Sequence, residues 1–300
     1  MPHAELRAHL EALYRRTHAP SRLEDDPVAW ARRYADPRDA EVAGLLAASF
    51  AYGRVSLFRP VLARLFALAD ARGGPRAWVD GFDPAVDGPV LGPLVYRWNR
   101  GVDVVLLLAA LRRVLARVDR LEALLGDPSC GVRAGLTAAV DALRAAAVEE
   151  APRCGVAAAR FDELPRGFRT FLPSPADGSA CKRLNMYLRW MVRPSDEGID
   201  LGIWARWTPD QLVIPLDTHV LRVARFLGLT RRKDGSWRTA EEITDALRAC
   251  DPRDPVRYDF SLAHLGISGS CRGHRDAATC PSCPLDPVCA APRRRETRAR

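Results

Sequence analysis

Lysine is nearly absent from this chain of 300 residues. Lysine and arginine together number 45, and only Lys182 and Lys233 are lysines. Arginine stays protonated at working pH, whereas a lysine amine can act as a nucleophile when its surroundings lower its pKa. Lys233 lies in a polar turn where any cation would serve, but Lys182 follows small and apolar residues. Lys182 is therefore a candidate nucleophile, and a chance position on a solvated helix face is the alternative.

The chain also lacks long apolar segments. Its longest apolar run, residues 104–111, has eight residues, far fewer than the roughly 20 that a helix needs to cross a bilayer. The first residues, Met-Pro-His-Ala-Glu-Leu-Arg, have no apolar core and no cleavage-site pattern, so we expect no signal peptide. We therefore expect a soluble, cytoplasmic protein without a membrane partner.

Alternating, strand-like patterns are rare, and helical periodicity dominates the chain. Residues 73–93 are dense in proline and glycine, which indicates a loop region with short helices, and residues 152–178 indicate a loop with one short helix. The sequence thus predicts an all-α protein. The predicted helices, in chain order, cover residues 3–17, 40–52, 55–69, 102–125, 134–150, 179–193, 218–227, 239–249 and 256–266.

The charge balance favours a polyanionic partner. The net charge is +8 and the isoelectric point is about 9.3, so nucleic acid is the first expectation and a membrane surface the second. No basic amphipathic helix with a clean apolar face stands out, which weakens the membrane interpretation. The last residues, 292–300, carry five arginines against one glutamate. We expect this tail to be a disordered arm that touches phosphates.

Four of the eight cysteines close the chain in the pattern Cys271-x8-Cys280-x2-Cys283-x5-Cys289. In a reducing cytosol such a group binds a metal more often than it forms disulfides. Zinc usually takes two tight Cys-x2-Cys pairs, whereas one pair with two single cysteines suits a cubane cluster with one thiolate per iron. The run predicts a [4Fe-4S] cluster, with zinc second and unrelated free thiols third.

The segment Ile214-Pro-Leu-Asp-Thr-His-Val carries a helix start. Pro215 cannot lie inside a helix, so a helix begins after it, and Asp217 is well placed as the N-cap residue. Val220 and Ala224 then fall on the buried side of that helix. Capping alone accounts for this pattern, and a catalytic carboxylate is the alternative.

Three features follow one another in a known order: Lys182 after a turn with proline and glycine, the Asp217-Thr-His helix start, and the four-cysteine run. In this order they resemble the helix-hairpin-helix DNA glycosylase superfamily, above all the endonuclease III and adenine glycosylase branch with its C-terminal iron–sulfur loop. Residues 178–193 and 215–220 look more closely still like an uncharacterised bacterial family related to that superfamily.

The resemblance implies an all-α, two-lobed protein with DNA in the cleft between the lobes. Residues 1–38 would form an N-terminal helix that packs with the cluster lobe, which covers residues 217–300 and includes the iron–sulfur loop 271–289 and the basic tail. Residues 39–216 would form a helical barrel lobe. The helix-hairpin-helix, at about 164–193, is degenerate, because its hairpin stretch, residues 172–182, has a single glycine, four residues before Lys182.

The resemblance also implies a reaction and a partner. The protein would be a DNA repair glycosylase with AP lyase activity, which excises a damaged base from double-stranded DNA or acts on an abasic site. Lys182 matches the Schiff-base lysine, and Asp217 matches the aspartate at the mouth of the pocket. A monomer in the bacterial nucleoid is expected. The alternatives are a non-catalytic binder of damaged or distorted DNA and a protein directed to RNA. The ligands implied for the cluster are Cys271, Cys280, Cys283 and Cys289.

Further residues are candidates for contact with DNA. Trp204 and Trp207 could stack on an extruded base, or they could instead pin an irregular loop onto the barrel. Tyr52 and Arg54 could provide a wedge and a phosphate contact, at a position that loosely matches the intercalating loop of endonuclease III. The remaining candidates, at the hairpin and at the Asp217 helix, are Gly178, Ser179, Arg183 and His219.

Overall fold

The computed structural model describes residues 3–17, 23, 26–194, 198–267 and 269–292. In this part of the chain the protein forms thirteen α-helices and one pair of two-residue strands, which confirms the all-α prediction. The helices are α1 (His3–Thr17), α2 (Val28–Ala31), α3 (Pro37–Phe50), α4 (Val55–Asp70), α5 (Pro75–Asp80), α6 (Pro84–Leu91), α7 (Gly101–Leu115), α8 (Gly131–Glu150), α9 (Arg166–Arg169), α10 (Lys182–Val192), α11 (Thr218–Phe226), α12 (Trp237–Arg248) and α13 (Asp259–Ile267).

A small β-hairpin between α6 and α7 was not predicted from the sequence. Its strands, β1 (Val95–Tyr96) and β2 (Asn99–Arg100), are antiparallel, and Val95 lies opposite Arg100. The turn between the strands has two residues, and its first residue, Arg97, has a φ of +54°. Strands of two residues are too short for an alternating pattern, so periodicity could not reveal them.

The helix predicted over residues 102–125 ends earlier, at Leu115, and that prediction was wrong about its last ten residues. Beyond this end, the buried carboxylate of Glu41 on α3 holds the chain in a non-helical conformation. Its oxygens accept hydrogen bonds from Arg120 Nε at 2.7 Å and from the backbone N–H of Leu121 at 2.9 Å. An amide that donates to this carboxylate cannot donate along a continuing α-helix, and a separate 3-10 turn follows over Leu121–Leu125.

The chain divides into two compact units. The first unit comprises Met1–Arg22, Ala180–Arg189 and Thr208–Arg300, and the second comprises Leu23–Ser179 and Trp190–Trp207. In the first unit, three stretches that are far apart in sequence share one core.

The core of the first unit joins the N-terminal helix to the C-terminal part of the chain. Both α1 and α11 pack against α13. Tyr258 is fully buried, and its hydroxyl donates to Glu11 Oε1 on α1 at 2.6 Å. His9 Nδ1, also on α1, is 2.8 Å from the carbonyl oxygen of Pro284 in the cysteine loop. The N-terminal helix thus supports both α13 and the cysteine loop.

The second unit is built around α7. Residues 104–111 of this helix are all buried, as expected for a helix that is apolar on every side and surrounded by others. The helices α6 and α8 pack directly against it. None of the helices in the described part of the chain combines the length and the apolar content that a membrane span requires.

The contact between α6 and α7 leads to a test of the second unit. A Cβ atom on Gly101 would lie 2.2 Å from the carbonyl oxygen of Leu91. Backbone atoms cannot give way as a flexible side chain can, so we expect Gly101→Ala to lower the free energy of unfolding by about 1–3 kcal/mol. Urea unfolding would measure it. The control is Gly235→Ala, whose Cβ would meet nothing within 4 Å; equal losses in both variants would contradict the packing argument.

Candidate active site

Lys182 is the first residue of α10, and the turn before it sets where the helix begins. Gly178 has a φ of +77° and Cys181 a φ of +47°, both in the left-handed region. This conformation costs energy for a residue with a side chain. Asn185 stabilises the turn, because its backbone N–H donates to the Cys181 carbonyl and its Nδ2 donates to the Ala180 carbonyl, both at 2.9 Å.

Asp217 caps the N-terminus of α11, as the sequence predicted. Its Oδ1 accepts hydrogen bonds from the backbone N–H groups of His219 and Val220, both at 2.8 Å. These are two of the donors that the first turn of a helix leaves without a partner in the helix. Because Oδ1 makes both capping bonds, Oδ2 is free to face another group.

Lys182 and Asp217 form an ion pair. Lys182 Nζ lies 3.2 Å from Asp217 Oδ2, and the two side chains are 36% and 17% exposed. Ion pairs with this much exposure contribute little to stability. The importance of the contact is therefore its geometry, since it holds a partly exposed amine against a carboxylate whose orientation is fixed by a helix.

A second, buried ion pair belongs to the same unit. Arg189 lies two helical turns after Lys182 on α10, and Asp259 is the first residue of α13. Arg189 Nη1 donates to Asp259 Oδ2 at 2.5 Å, and both side chains are buried. Charged pairs of this kind are costly to bury. Sequence reasoning did not identify Arg189 or Asp259; the only signal was a charged residue within an apolar stretch.

Asp259 is electrostatically linked to the exposed pair. Burial raises the pKa of Asp259 to about 6, although Arg189 acts to lower it. The charge of Asp217 raises the same pKa further, and the charge of Lys182 lowers it. The charges of Arg189, Lys182 and Asp217, on α10 and at the start of α11, therefore all act on the buried carboxylate of Asp259.

His219 lies against α13. A Cβ atom on Gly266 would come within 2.4 Å of His219 Nδ1, so the glycine is what allows the ring to pack there. Arg222 Nη2 is 3.3 Å from the same nitrogen and donates to the carbonyl oxygen of Cys271 at 3.1 Å. This arginine connects the helix that begins after Asp217 to the start of the cysteine loop. A contact of His219 with DNA stays a prediction.

The four C-terminal cysteines lie on one loop, without a disulfide between them. Burial raises the pKa values of the Cys283 and Cys289 thiols. Cys271 and Cys280 raise the pKa of Cys283 further, and Cys271 and Cys283 do the same for Cys289. The thiols are therefore near enough to interact electrostatically.

The donor set of this loop fits an iron–sulfur cluster. Each iron of a cubane takes one thiolate, so its ligands stand around a cluster and not around a single ion. Among the described residues, no group of three or more histidine, cysteine, aspartate or glutamate side chains that could hold a metal ion is present. Arg275 braces the loop, since its Nη2 donates to the carbonyl oxygens of Asp286 at 3.1 Å and Cys289 at 2.7 Å. The [4Fe-4S] cluster and its zinc alternative stay predictions.

The turn of the predicted hairpin uses some of its own amides. The N–H of Gly178 donates to Pro175 O at 3.0 Å, and the N–H of Asp177 donates to Ser174 O at 3.1 Å. Arg144 of α8 holds the turn from outside with a 2.7 Å bond to the Asp177 carboxylate. These two amides therefore already have partners within the turn.

Trp204 and Trp207 are both 3% exposed and lie in the core of the second unit. Trp204 Nε1 donates to Glu41 Oε1. A Cβ atom on Gly135 of α8 would lie 2.9 Å from the Trp207 ring. In this conformation the two rings hold an irregular loop against the core, as in the alternative interpretation given above. Neither ring presents a face to solvent. Stacking on a base would require the loop to open.

The other candidates for contact with DNA are more accessible. Arg54 is exposed, and Tyr52, Ser179 and Arg183 are half-buried. The basic tail, residues 293–300, lies outside the described residues. Contacts of these residues with DNA stay predictions.

The raised pKa of Asp259 predicts a dependence of stability on pH. Because folding raises this pKa from 3.8 to about 6, the folded protein holds the proton more tightly than the unfolded chain, and stability falls as pH rises through that interval. Relative to Asp259→Asn, we expect wild type to lose about 2 kcal/mol between pH 4 and 6, with a small further loss up to about pH 7 as the carboxyl group finishes ionising. Urea unfolding at several pH values would measure this, and a flat or rising difference would contradict it.

Comparison with known proteins places the chain in a family. Residues 26–268 match the family described as "Protein of unknown function (DUF2400)". The matched segment contains Lys182, Asp217 and Asp259 and ends shortly before Cys271. No curated protein and no solved structure matches the chain. Because the match covers well over half of the sequence, the chain belongs to this DUF2400 family.

Proposed function

We propose that this protein is a DNA repair glycosylase with AP lyase activity, which removes a damaged base through a Schiff base on Lys182 with the help of Asp217. The observation that carries the proposal is the 3.2 Å contact between Lys182 Nζ and Asp217 Oδ2 in a partly exposed site. The net charge of +8 suits a polyanionic substrate. The resemblance of the sequence motifs to the helix-hairpin-helix glycosylases supplies the class of reaction.

The first half of the reaction breaks the glycosidic bond. The nucleotide is flipped out of the stack, because its C1′ is inaccessible within the duplex. The Lys182 ammonium passes a proton to Asp217 Oδ2, and the neutral amine then attacks C1′. The bond between C1′ and the base breaks, and the base leaves with the electron pair. It takes up the proton from Asp217, which returns the carboxylate to its ionised form.

The second half is the lyase step. The bond between C1′ and O4′ breaks as a proton moves from the nitrogen of Lys182 to O4′, which leaves a protonated Schiff base. A proton then passes from C2′ to water, and the electron pair of that bond forms the C2′–C3′ double bond and expels the 3′ phosphate, which cuts the strand by β-elimination. Water releases Lys182 by hydrolysis. Throughout, the two capping bonds to Oδ1 keep Asp217 Oδ2 pointed at the reacting nitrogen.

The cysteine loop has a structural part in this proposal. Cys271, Cys280, Cys283 and Cys289 would hold the [4Fe-4S] cluster, which shapes the loop and need not transfer electrons. The bond from Arg222 to the Cys271 carbonyl links the loop to α11, whose cap is Asp217. A correctly formed loop would thus help to keep the catalytic carboxylate in place.

Borohydride trapping on duplex DNA with an abasic site tests the nucleophile. Reduction fixes a Schiff base as a covalent adduct, so we expect an adduct with wild type and none with Lys182→Ala. Lys233→Ala is the matched control, because it removes the only other lysine of the chain, and it should form the adduct as wild type does.

DNA affinity, measured by fluorescence anisotropy at fixed salt, separates the outcomes of the trapping experiment. Lys182→Ala should still bind the abasic duplex. An adduct that persists in Lys182→Ala would overturn the assignment of the nucleophile. Wild type that binds this DNA without forming an adduct would rule out the lyase and favour a non-catalytic binder of damaged DNA.

The cofactor is tested by anaerobic purification. We expect brown protein with broad visible absorbance and about four iron atoms per chain. Cys283→Ala should lose the colour and most of the iron, because one of the four thiolates is missing. Cys130→Ala is the control, since Cys130 is an exposed cysteine outside the loop, and it should keep both. Colourless wild type with stoichiometric zinc would contradict the cluster assignment.

A further inference from the structure

One tryptophan of the second unit is exposed at the tip of the β-hairpin. Trp98 is 50% exposed and occupies the second position of the turn between β1 and β2. A large, half-exposed aromatic ring on a tight turn contributes little area to the core, and single exposed apolar side chains are common, so the argument for a function comes from the groups around the ring. Five other tryptophans are each at most 3% exposed: Trp78, Trp190, Trp204, Trp207 and Trp237.

The inner face of the Trp98 ring is covered by Tyr52. The two rings are stacked, with centroids 5.3 Å apart and planes at 14°. The Tyr52 hydroxyl donates to Asn99 Oδ1 and lies 3.3 Å from the carbonyl oxygen of Tyr96. Asn99 is fully buried, and its Nδ2 donates to Gly167 O at 2.8 Å. The ring beneath Trp98 is therefore fixed to the core of the unit.

The outer face of Trp98 is open. Arg97 Cζ lies 4.8 Å from the centroid of the Trp98 ring and 5.7 Å from that of Tyr52. A guanidinium on the outer face would be much further from Tyr52, because the whole Trp98 ring would stand between them. Arg97 therefore lies beside the stack, on the side of Tyr52. It places a positive charge at the edge of the ring and leaves the outer face of Trp98 accessible.

The backbone of the hairpin is strained at its first turn residue. The first turn residue of a two-residue hairpin with positive φ is usually glycine or asparagine, yet here it is Arg97 with a φ of +54°. Gly53 makes room for it: a Cβ atom there would lie 2.8 Å from Arg97 Nη1 and 2.9 Å from the Tyr96 hydroxyl. Strain of this kind is found more often at functional sites than elsewhere.

The exposed side chains that carry charge on the hairpin are arginines, whereas the Asp103 carboxylate that accepts the Arg100 backbone N–H at 2.7 Å is buried. The two segments that meet here, residues 42–69 and 88–102, contain no aspartate and no glutamate, and α4 contacts β1. Arg54 and Arg97 are exposed. A nucleotide would use both features, because its base can stack on the open aromatic face and its phosphates can bind the arginines. An acidic protein would bind the arginines but would have no use for the flat ring. The arginines of the two segments are Arg54, Arg59, Arg64, Arg97 and Arg100.

We propose that the outer face of Trp98 is a stacking site for one unpaired base of single-stranded DNA, with Arg97 and Arg54 near the flanking phosphates. The inference rests on the proposed function in one respect, namely that the polymer is DNA. It does not involve Lys182. Tyr52 holds the ring from below, and a base of any identity can stack above it, because every base has a flat π-face.

Two labelled oligomers of equal length, bound to the full-length protein, test the stacking. One is a thymidine oligomer of about eight nucleotides, and the other has abasic sugars in place of every base, so both carry the same phosphates. At one salt concentration of about 0.1 M, we expect Trp98→Ala to weaken binding of the thymidine oligomer about tenfold. The affinity for the abasic oligomer should change by no more than about twofold, within the scatter of such measurements.

Matched variants separate stacking from folding and from charge. Trp98→Phe keeps an aromatic face and should restore most of the affinity. Val86→Ala removes another exposed apolar side chain of the second unit and should bind as wild type does. Arg97→Ala should weaken binding of both oligomers, because both retain the phosphates.

Several results would overturn the proposal. These are an unchanged affinity of Trp98→Ala for the thymidine oligomer, an equal loss for both oligomers, and at least tenfold tighter binding of an RNA oligomer of the same length. The two proposals stay distinguishable, since the trapping experiment depends on Lys182 and the oligomer experiment depends on Trp98. A failed trapping experiment with an intact Trp98 effect would rule out the lyase and leave the stacking site, and the reverse result would remove only the stacking site.

Discussion

The candidate site depends on the different partners of the two carboxylate oxygens of Asp217. Oδ1 completes the first turn of α11 by accepting two backbone N–H groups, and Oδ2 faces the amine of Lys182 on α10. A capping residue is worth about 1 kcal/mol to its helix, so the same side chain that stabilises α11 also fixes the geometry of the pair. Because the capping bonds prevent rotation of the carboxylate, the position of the reacting oxygen follows from the backbone.

Beneath this pair, the buried contact between Arg189 and Asp259 is not explained by stability. Burial raises the pKa of Asp259 even though Arg189 is in contact with it, which means that desolvation outweighs the attraction between the two charges. What the contact does provide is a fixed link between α10 and α13. It also brings the Asp259 carboxylate within electrostatic reach of Lys182 and Asp217, whose charges act on its pKa in opposite directions.

The tryptophans show how packing decides the role of a residue type. Trp204 and Trp207 lie in an irregular loop, where their sequence context is compatible with stacking on a base. Glu41, far away in the sequence, accepts the indole N–H of Trp204 and so draws that loop into the core. Trp98, by contrast, is half exposed. Its ring instead rests on Tyr52 at the surface, because a two-residue turn places it at the tip of a hairpin.

The sequence by itself determined what depends on neighbours along the chain. Helical periodicity predicted α1 and α4 almost to the residue, Pro215 and Asp217 predicted the start of α11, and the rarity of lysine singled out Lys182. The tertiary structure alone decided which distant residues meet: Lys182 with Asp217, Arg189 with Asp259, and Glu41 with the segment that ends the helix predicted to reach residue 125. Local patterns report backbone preferences over a few residues, whereas these contacts depend on how separate helices pack, and no spacing in the sequence records that.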